Sequence, residues 1–522
     1  MPAAAFPALR RGAAALAVVT LVGAAAYGCT ALPPLGQRSA SVALDDTDAT
    51  PLGQAIAPLA DAHPGRSGVL PLIDGRDAFA ARVLLAHQAQ RSLDVQYYIW
   101  RNDLTGTLML DALRSAAARG VRVRLLLDDN NTDGLDPALA ALDREPNAEV
   151  RLFNPFGMRR WRSLGYLTDF SRLNRRMHNK SFTADNQAAI VGGRNIGDEY
   201  FGAAGDMLFV DLDVLAVGPA VRAVSQDFDR YWNSASAYPV TVLVDPVATE
   251  APAALAAHAA AVRAQPDARR YLEAIRTSPF IEQLAQRRLP LEWGVARLVS
   301  DDPAKVLDKA NPDDRMALSL KKLLGEPTKQ LDLVSPYFVP TAEVARELGN
   351  IARNGVKVRV LTNSLDATDV AAVHAGYAKW RRQLVAAGVS LFELRRRWGA
   401  ELPEKGKGSF GSSAASLHAK TFGVDGRCIY VGSFNMDPRS IDLNTEMGLV
   451  IDSPQLAGLL DQTLSVGMPE TSYEVRLDEK GRLYWLERSN GKVLRHDQEP
   501  GTTVWKRAGV RLLSWLPIDW LL

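Results

Sequence analysis

Cysteine is almost missing from this chain, with only Cys29 and Cys428 among 522 residues. Cys428 sits in the apolar run Cys428-Ile429-Tyr430-Val431, which reads as a buried strand, and Cys29 closes an N-terminal leader. No internal disulfide is therefore expected. Histidine is scarce too, at seven residues, and no Cys and His ligands cluster at metal-binding spacing, which leaves a zinc site unsupported. Net charge is also lacking. The 61 basic and 59 acidic residues leave a formal +2, and Arg10 and Arg11 in the leader account for that excess. A balanced remainder argues against a generally basic nucleic-acid binder, though local basic patches stay open. What is present is ordinary for a globular protein, 47% hydrophobic and 23% charged, on a chain long enough for two domains.

Arg10 and Arg11 precede residues 12–28, almost wholly Ala, Val, Leu and Gly, and Cys29 follows. That order reads as an export signal. The ending Ala26-Tyr27-Gly28-Cys29 resembles a bacterial lipoprotein box, which would make Cys29 the lipidated first residue. The alternative is a retained anchor, since about 17 apolar residues sit at the lower limit for spanning a bilayer. Either result places the protein at a membrane.

The chain repeats itself. One copy reads His178-Asn179-Lys180, Asp185 and Gly192-Gly193-Arg194-Asn195; the other reads His418-Ala419-Lys420, Asp425 and Gly432-Ser433-Phe434-Asn435, with identical spacing throughout. Upstream, Leu93-Asp94-Val95-Gln96-Tyr97-Tyr98 answers Leu331-Asp332-Leu333-Val334-Ser335-Pro336-Tyr337. Each strand leads to a helical stretch stopped at Gly120 or Gly355, then to a second apolar strand, the order of a right-handed parallel crossover. Counting back eight residues from Pro219 and from Pro454 reaches Asp211 and Glu446, two carboxylates in equivalent positions. The reading is a leader at 1–29, a linker at 30–64, α/β domains at 65–245 and 285–470, and a helical connector at 246–284. A small β appendage with an apolar tail occupies 471–522, where Asn490-Gly491 signals a hairpin.

These residue types suit attack on phosphorus. One neutral histidine can be a nucleophile while a second protonates the leaving oxygen. Lys and Asn donors stabilise the extra negative charge on non-bridging oxygens. Residues two apart on a strand share a face, so His178 and Lys180 can reach one phosphate, as can His418 and Lys420. Asp211 or Glu446 could receive the other ring N–H and fix the tautomer. Asp185 and Asp425 fall at turns, and structural roles are expected for them.

The two H-x-K-x4-D motifs, each followed by G-G/S-x-N, resemble those of the phospholipase D superfamily. The resemblance implies two α/β domains, mixed sheets flanked by helices, related by pseudo-twofold symmetry with both motifs at their interface. It implies a phosphohistidine on one histidine, acid and base work by the other, and no metal or other cofactor. Carried onto this chain, the catalytic set is His178, Lys180, Asn195, His418, Lys420 and Asn435, with Asp211 and Glu446 as orienting carboxylates. His178 is favoured as nucleophile and His418 as general acid; the near-symmetry leaves the reverse open. The run Gly192-Gly193-Arg194-Asn195-Ile196-Gly197-Asp198-Glu199-Tyr200-Phe201 and the closing Leu516-Pro517-Ile518-Asp519-Trp520-Leu521-Leu522 are most similar to the C-type bacterial cardiolipin synthases. That similarity implies transfer of a phosphatidyl group to a hydroxyl of phosphatidylglycerol, from phosphatidylethanolamine or a second phosphatidylglycerol.

Arg159, Arg160, Arg162, Arg172, Arg175 and Arg176 precede the first motif, and Arg395, Arg396 and Arg397 the second, with Trp161, Tyr166, Phe170 and Trp398 among them. Such segments suit an anionic headgroup at a lipid surface, with Arg175, Arg176 and Tyr337 as candidate contacts. The expected partners are phospholipids and a membrane surface, without nucleic acid. One chain holds a complete site, and oligomeric state stays open. Hydrolysis to phosphatidic acid shares the same first step, so it stands beside transfer; a nuclease and a non-catalytic lipid binder stand further off.

Overall fold

The computed structural model describes residues 32–35, 38–203, 207–286, 289–396 and 414–515. Cys29, Arg397, Trp398 and the closing residues 516–522 lie outside them. Strands of the first half are β1 (Ser67–Leu72), β2 (Ser92–Ile99), β3 (Arg122–Asn131), β4 (Ala148–Phe153), β5 (Ser181–Ala184), β6 (Ala188–Gly192), β7 (Met207–Val210), β8 (Asp213–Val217) and β9 (Ala237–Pro239). The second half supplies β10 (Glu292–Ser300), β11 (Gln330–Val334), β12 (Lys357–Asn363), β13 (Ser390–Leu394), β14 (Ala414–Leu417), β15 (Thr421–Val424), β16 (Cys428–Gly432), β17 (Met447–Asp452) and β18 (Ser472–Leu477). Two further strands, β19 (Leu483–Ser489) and β20 (Lys492–His496), follow.

Pairing runs β1-β8-β6-β5-β2-β3-β4-β9 in the first half and β10-β17-β16-β15-β11-β12-β13-β18 in the second. The two orders superimpose strand for strand. The fold is α/β, with parallel strands β2-β3-β4 and β11-β12-β13 and antiparallel neighbours. Equivalent strands β1 and β10 pair antiparallel at Gly68 and Trp293, as a twofold relation requires. The crossover helices Leu104–Ala118 and Ala342–Arg353 are capped by Asp103 and Thr341 and give way to Gly120 and Gly355, whose φ of 95° and 88° suits glycine.

Each half has its own apolar core, around Val95, Leu125 and Ile190 in the first and Leu333, Val360 and Tyr430 in the second. A third cluster joins them, with Val191 and Val214 packed with Val431 and Leu449. A buried ion pair is also repeated. Arg124 grips Asp94 at 2.6 and 2.8 Å, and Arg359 grips Asp332 at 2.7 and 2.9 Å, tying β3 to β2 and β12 to β11.

The stretch before β1 is packed rather than free: Arg38 donates to Ala237 O at 2.7 Å, Ala43 N–H to Asp229 at 2.8 Å, and Pro51–Asp61 is helical. Between the halves run helices Ala251–Ala264, Pro266–Arg276 and Pro279–Ala285, and Leu255 and Tyr271 enter the first core. At the far end β18 joins the edge of β13, so the appended strands continue the second sheet. Among the described residues no helix is long and apolar enough to cross a membrane.

Candidate active site

Two short parallel contacts bring the motifs together. β14 lies against β7, ending at Leu417 opposite Val210, and a bridge sets Met177 opposite Thr445. The next residues are His418, Asp211, His178 and Glu446. His418 N–H donates to Val210 O at 2.8 Å, and His178 N–H donates to Thr445 O at 2.9 Å. Each histidine is thereby pinned beside the carboxylate of the other half. His178 Nδ1 is 2.8 Å from Glu446 Oε2, and His418 Nδ1 is 2.6 Å from Asp211 Oδ2. Sequence reasoning gave each half its own carboxylate; the carboxylates are exchanged, because the strand carrying each one pairs across the interface. An ionised carboxylate can only accept, so Nδ1 carries a proton opposite it; Nε2 keeps its lone pair in the neutral imidazole and carries the second proton in the imidazolium.

The carboxylates are held differently. Glu446 accepts from Ser433 Oγ and, at 2.8 Å, from Ser440 Oγ. In the first half the residue matching Ser433 is Gly193, where an added Cβ would lie 2.1 Å from Asp211 Oδ1. The G-G/S variation therefore tracks where each carboxylate lies. Burial pushes the Glu446 carboxyl up to about 7, against the opposing pull of Lys180. Burial acts the same way on Asp211, but His418, Lys420 and Arg194 overcome it and hold that carboxyl well below the usual range. Burial lowers both imidazoles, with Lys180 and Lys420 deepening the effect on His178, while Asp211 opposes it at His418.

His178 and His418 share the wall of one cavity of about 430 Å³ with Asn195 and Tyr337. Asn195 Oδ1 accepts from Ile99 N–H at 3.0 Å, and its amide donates to Tyr200 at 3.0 Å. Tyr337 donates to Asp369 at 2.7 Å. Lys180, Lys420 and Asn435 are buried outside that wall. Each lysine donates to the carbonyl of its own histidine, Lys180 at 2.5 Å, and burial lowers both ammonium groups, Lys420 to about 8. Sequence reasoning missed Tyr98 and Tyr200, whose rings stand edge-on to His178 and His418 at 4.9 and 5.2 Å. Tyr98 closes the stretch 93–98 that answers 331–337, a signal available in the repeat.

Asp185 and Asp425, both at positive φ, stand away from the cavity. Asp185 accepts the N–H groups of Gln90, Arg91 and Ser92, and Asp425 those of Thr328, Lys329 and Gln330. Both staple the start of a central strand, β2 or β11. Arg175 and Arg176, expected as headgroup contacts, lie outside the cavity wall. Arg176 is buried on Asp128 at 3.2 Å and on Asn154 O, and Arg175 reaches Asp308 at 2.9 Å, so neither joins the wall. Much of the basic cluster is neutralised likewise, with Arg159 on Asp129, Arg172 on Asp169 and Arg395 on Glu487.

Duplicated α/β halves that give one histidine each to a single interfacial cavity define a phospholipase D-like protein. The sequence profile described as "Cardiolipin synthase, PLD-like domain" matches residues 84–232 and 320–465. The chain belongs to that family. Cardiolipin synthase C of Escherichia coli (strain K12) is 50% identical over 475 residues, covering 90% of this chain and 99% of that protein. An uncharacterized protein of Helicobacter pylori (strain ATCC 700392 / 26695) is 32% identical, over 92% of this chain and 94% of that one. The crystal structure of phosphatidylserine synthase from Haemophilus influenzae Rd KW20 shares the fold, with a TM-score of 0.55 at 15% identity over 87% of this chain and 95% of that one.

Proposed function

We propose that this cavity transfers a phosphatidyl group from one phospholipid to a hydroxyl of phosphatidylglycerol, forming cardiolipin through a phosphohistidine. The observation that carries the reading is the crossed pair of imidazoles in one wall, each with Nδ1 on a buried carboxylate and Nε2 free to act. His178 Nε2 attacks phosphorus as the bond to the donor's alcohol oxygen breaks, and His418 delivers the proton to that oxygen. His418 then takes a proton from the incoming hydroxyl, which attacks phosphorus and releases His178. The unequal carboxylates support this order. Ionised Asp211 favours a positive charge on His418, whereas Glu446, pushed up to about 7, favours a neutral and nucleophilic His178. Asn195 and Tyr337 border the phosphate in the wall, and Lys180, Lys420 and Asn435, buried behind it, add the favourable field for its negative charge.

The protein incubated with labelled phosphatidylglycerol, with and without phosphatidylethanolamine, should yield cardiolipin with released glycerol or ethanolamine. Phosphatidic acid alone would assign hydrolysis, and plasmid cleavage without lipid turnover would overturn the lipid assignment. Turnover is expected to persist in EDTA, because histidine and ammonium groups supply the charge stabilisation.

A further inference from the structure

Among the described residues, solvent-exposed tryptophan is confined to two places: Trp161, and the pair Trp505 and Trp515. Trp161 precedes the helix Arg162–Thr168, on which Leu164 and Leu167 also face solvent. Trp505, 86% exposed, lies on the helix Val504–Leu513, and Trp515, 73% exposed, lies just beyond it, with Val504 and Leu512 exposed beside them. That helix docks through Val510 onto Leu365 and Ala375 and leaves its other apolar side outward. Large apolar side chains gathered at the surface mark an interaction site.

Both patches rest on the cavity's rim. Tyr166 of the first donates at 2.8 Å to Asn130, the neighbour of Asn131 in the cavity wall. The second sits on Leu365 and Ala375, and between these two the chain sends Asp369 into the same wall. The first support lies at the end of β3, and the second runs from Leu365, two residues past β12, to Ala375 on the helix Ala371–Ala378; the two strands are equivalent across the halves. The patches therefore flank the mouth from both sides. The charge of the second patch is one-sided, since Val504–Leu513 carries Lys506, Arg507 and Arg511 and no carboxylate; at the first, Arg160 lies 5.9 Å from the Trp161 ring centre while Arg162 is paired with Asp129 and Asp136. Indole settles in the headgroup layer of a bilayer, and neighbouring cations are drawn to anionic lipid.

We infer that the two patches seat the cavity mouth on an anionic phospholipid bilayer, with Trp161, Trp505 and Trp515 in its headgroup layer. This surface goes beyond the transfer reaction and does not depend on which hydroxyl accepts the lipid. The test is tryptophan quenching in the full chain by vesicles of phosphatidylglycerol and phosphatidylcholine brominated high on the acyl chains. Quenching reports contact near an indole, and the difference between the chain and a variant lacking the three indoles isolates contact at these positions. Emission should be quenched, and W161F/W505F/W515F, which keeps apolar bulk, should lose at least half of that quenching. Phosphatidylcholine vesicles alone should quench less. Equal quenching in the triple variant, or none in either protein, would overturn the assignment. So would lipid-independent self-association in sedimentation that the triple variant abolishes, since the patches would then join two copies of the chain.

Discussion

The two imidazoles differ in their carboxylates, and that difference is measurable. His178→Ala and His418→Ala should each lower kcat at least about 1,000-fold while leaving the fold intact. The pH–rate profile should be a narrow bell. Turnover rises through about pH 7 as Glu446 loses its proton and becomes able to hold the His178 N–H. It falls above about pH 8 as Lys420 loses its charge. Lys420→Arg, with a guanidinium charged at every accessible pH, should shift the alkaline limb, to which Lys180 still contributes, and spare the acidic one. Stability should show the other face of Glu446. The folded chain holds this proton up to about 7, whereas the unfolded chain releases it near 4.5. The contribution therefore favours folding below the lower value and is lost as pH rises toward the upper one. Denaturation of Glu446→Gln across that interval should show a flatter dependence on pH.

At the scale of elements, the staple and the tight turn carry distinct expectations. Asp425→Ala releases the N–H groups of Thr328, Lys329 and Gln330 and should cost about 2–3 kcal/mol of stability in a chemical melt. Asp185→Ala should cost more, because Asp185 is fully buried. Gly193→Ala forces the Asp211 carboxylate aside and should reduce turnover more than Ser433→Ala, which removes one hydroxyl from Glu446. The repeat made the two-copy architecture legible, because these spacings set where a strand starts, turns and returns. Gly120 and Gly355 were legible as helix ends for the same local reason. Exchange of Asp211 and Glu446 was not, since it depends on β7 pairing with β14 across the interface. Nor was the burial of Arg176: its partner Asp128 lies on β3, far away in sequence, and nothing local separates a paired arginine from a free one.

For the whole molecule, the halves are coupled at the atoms proposed to do the chemistry. A double-mutant cycle on unfolding free energy between His178→Asn and Glu446→Gln should give a coupling of about 1 kcal/mol. The same cycle between His178→Asn and Asp211→Asn should give a smaller one, since Asp211 bonds the other histidine. The shared apolar cluster around Val191, Val214, Val431 and Leu449 keeps that geometry from depending on the ion pairs alone. The crossed arrangement also sets when a nascent chain becomes dangerous to lipid. A ribosome that has passed His178 but not yet reached residue 446 has made a histidine without its carboxylate, so a stalled or clipped product should show no turnover in a lipid assay. Competence arrives in one step, when the second half has emerged and closed against the first.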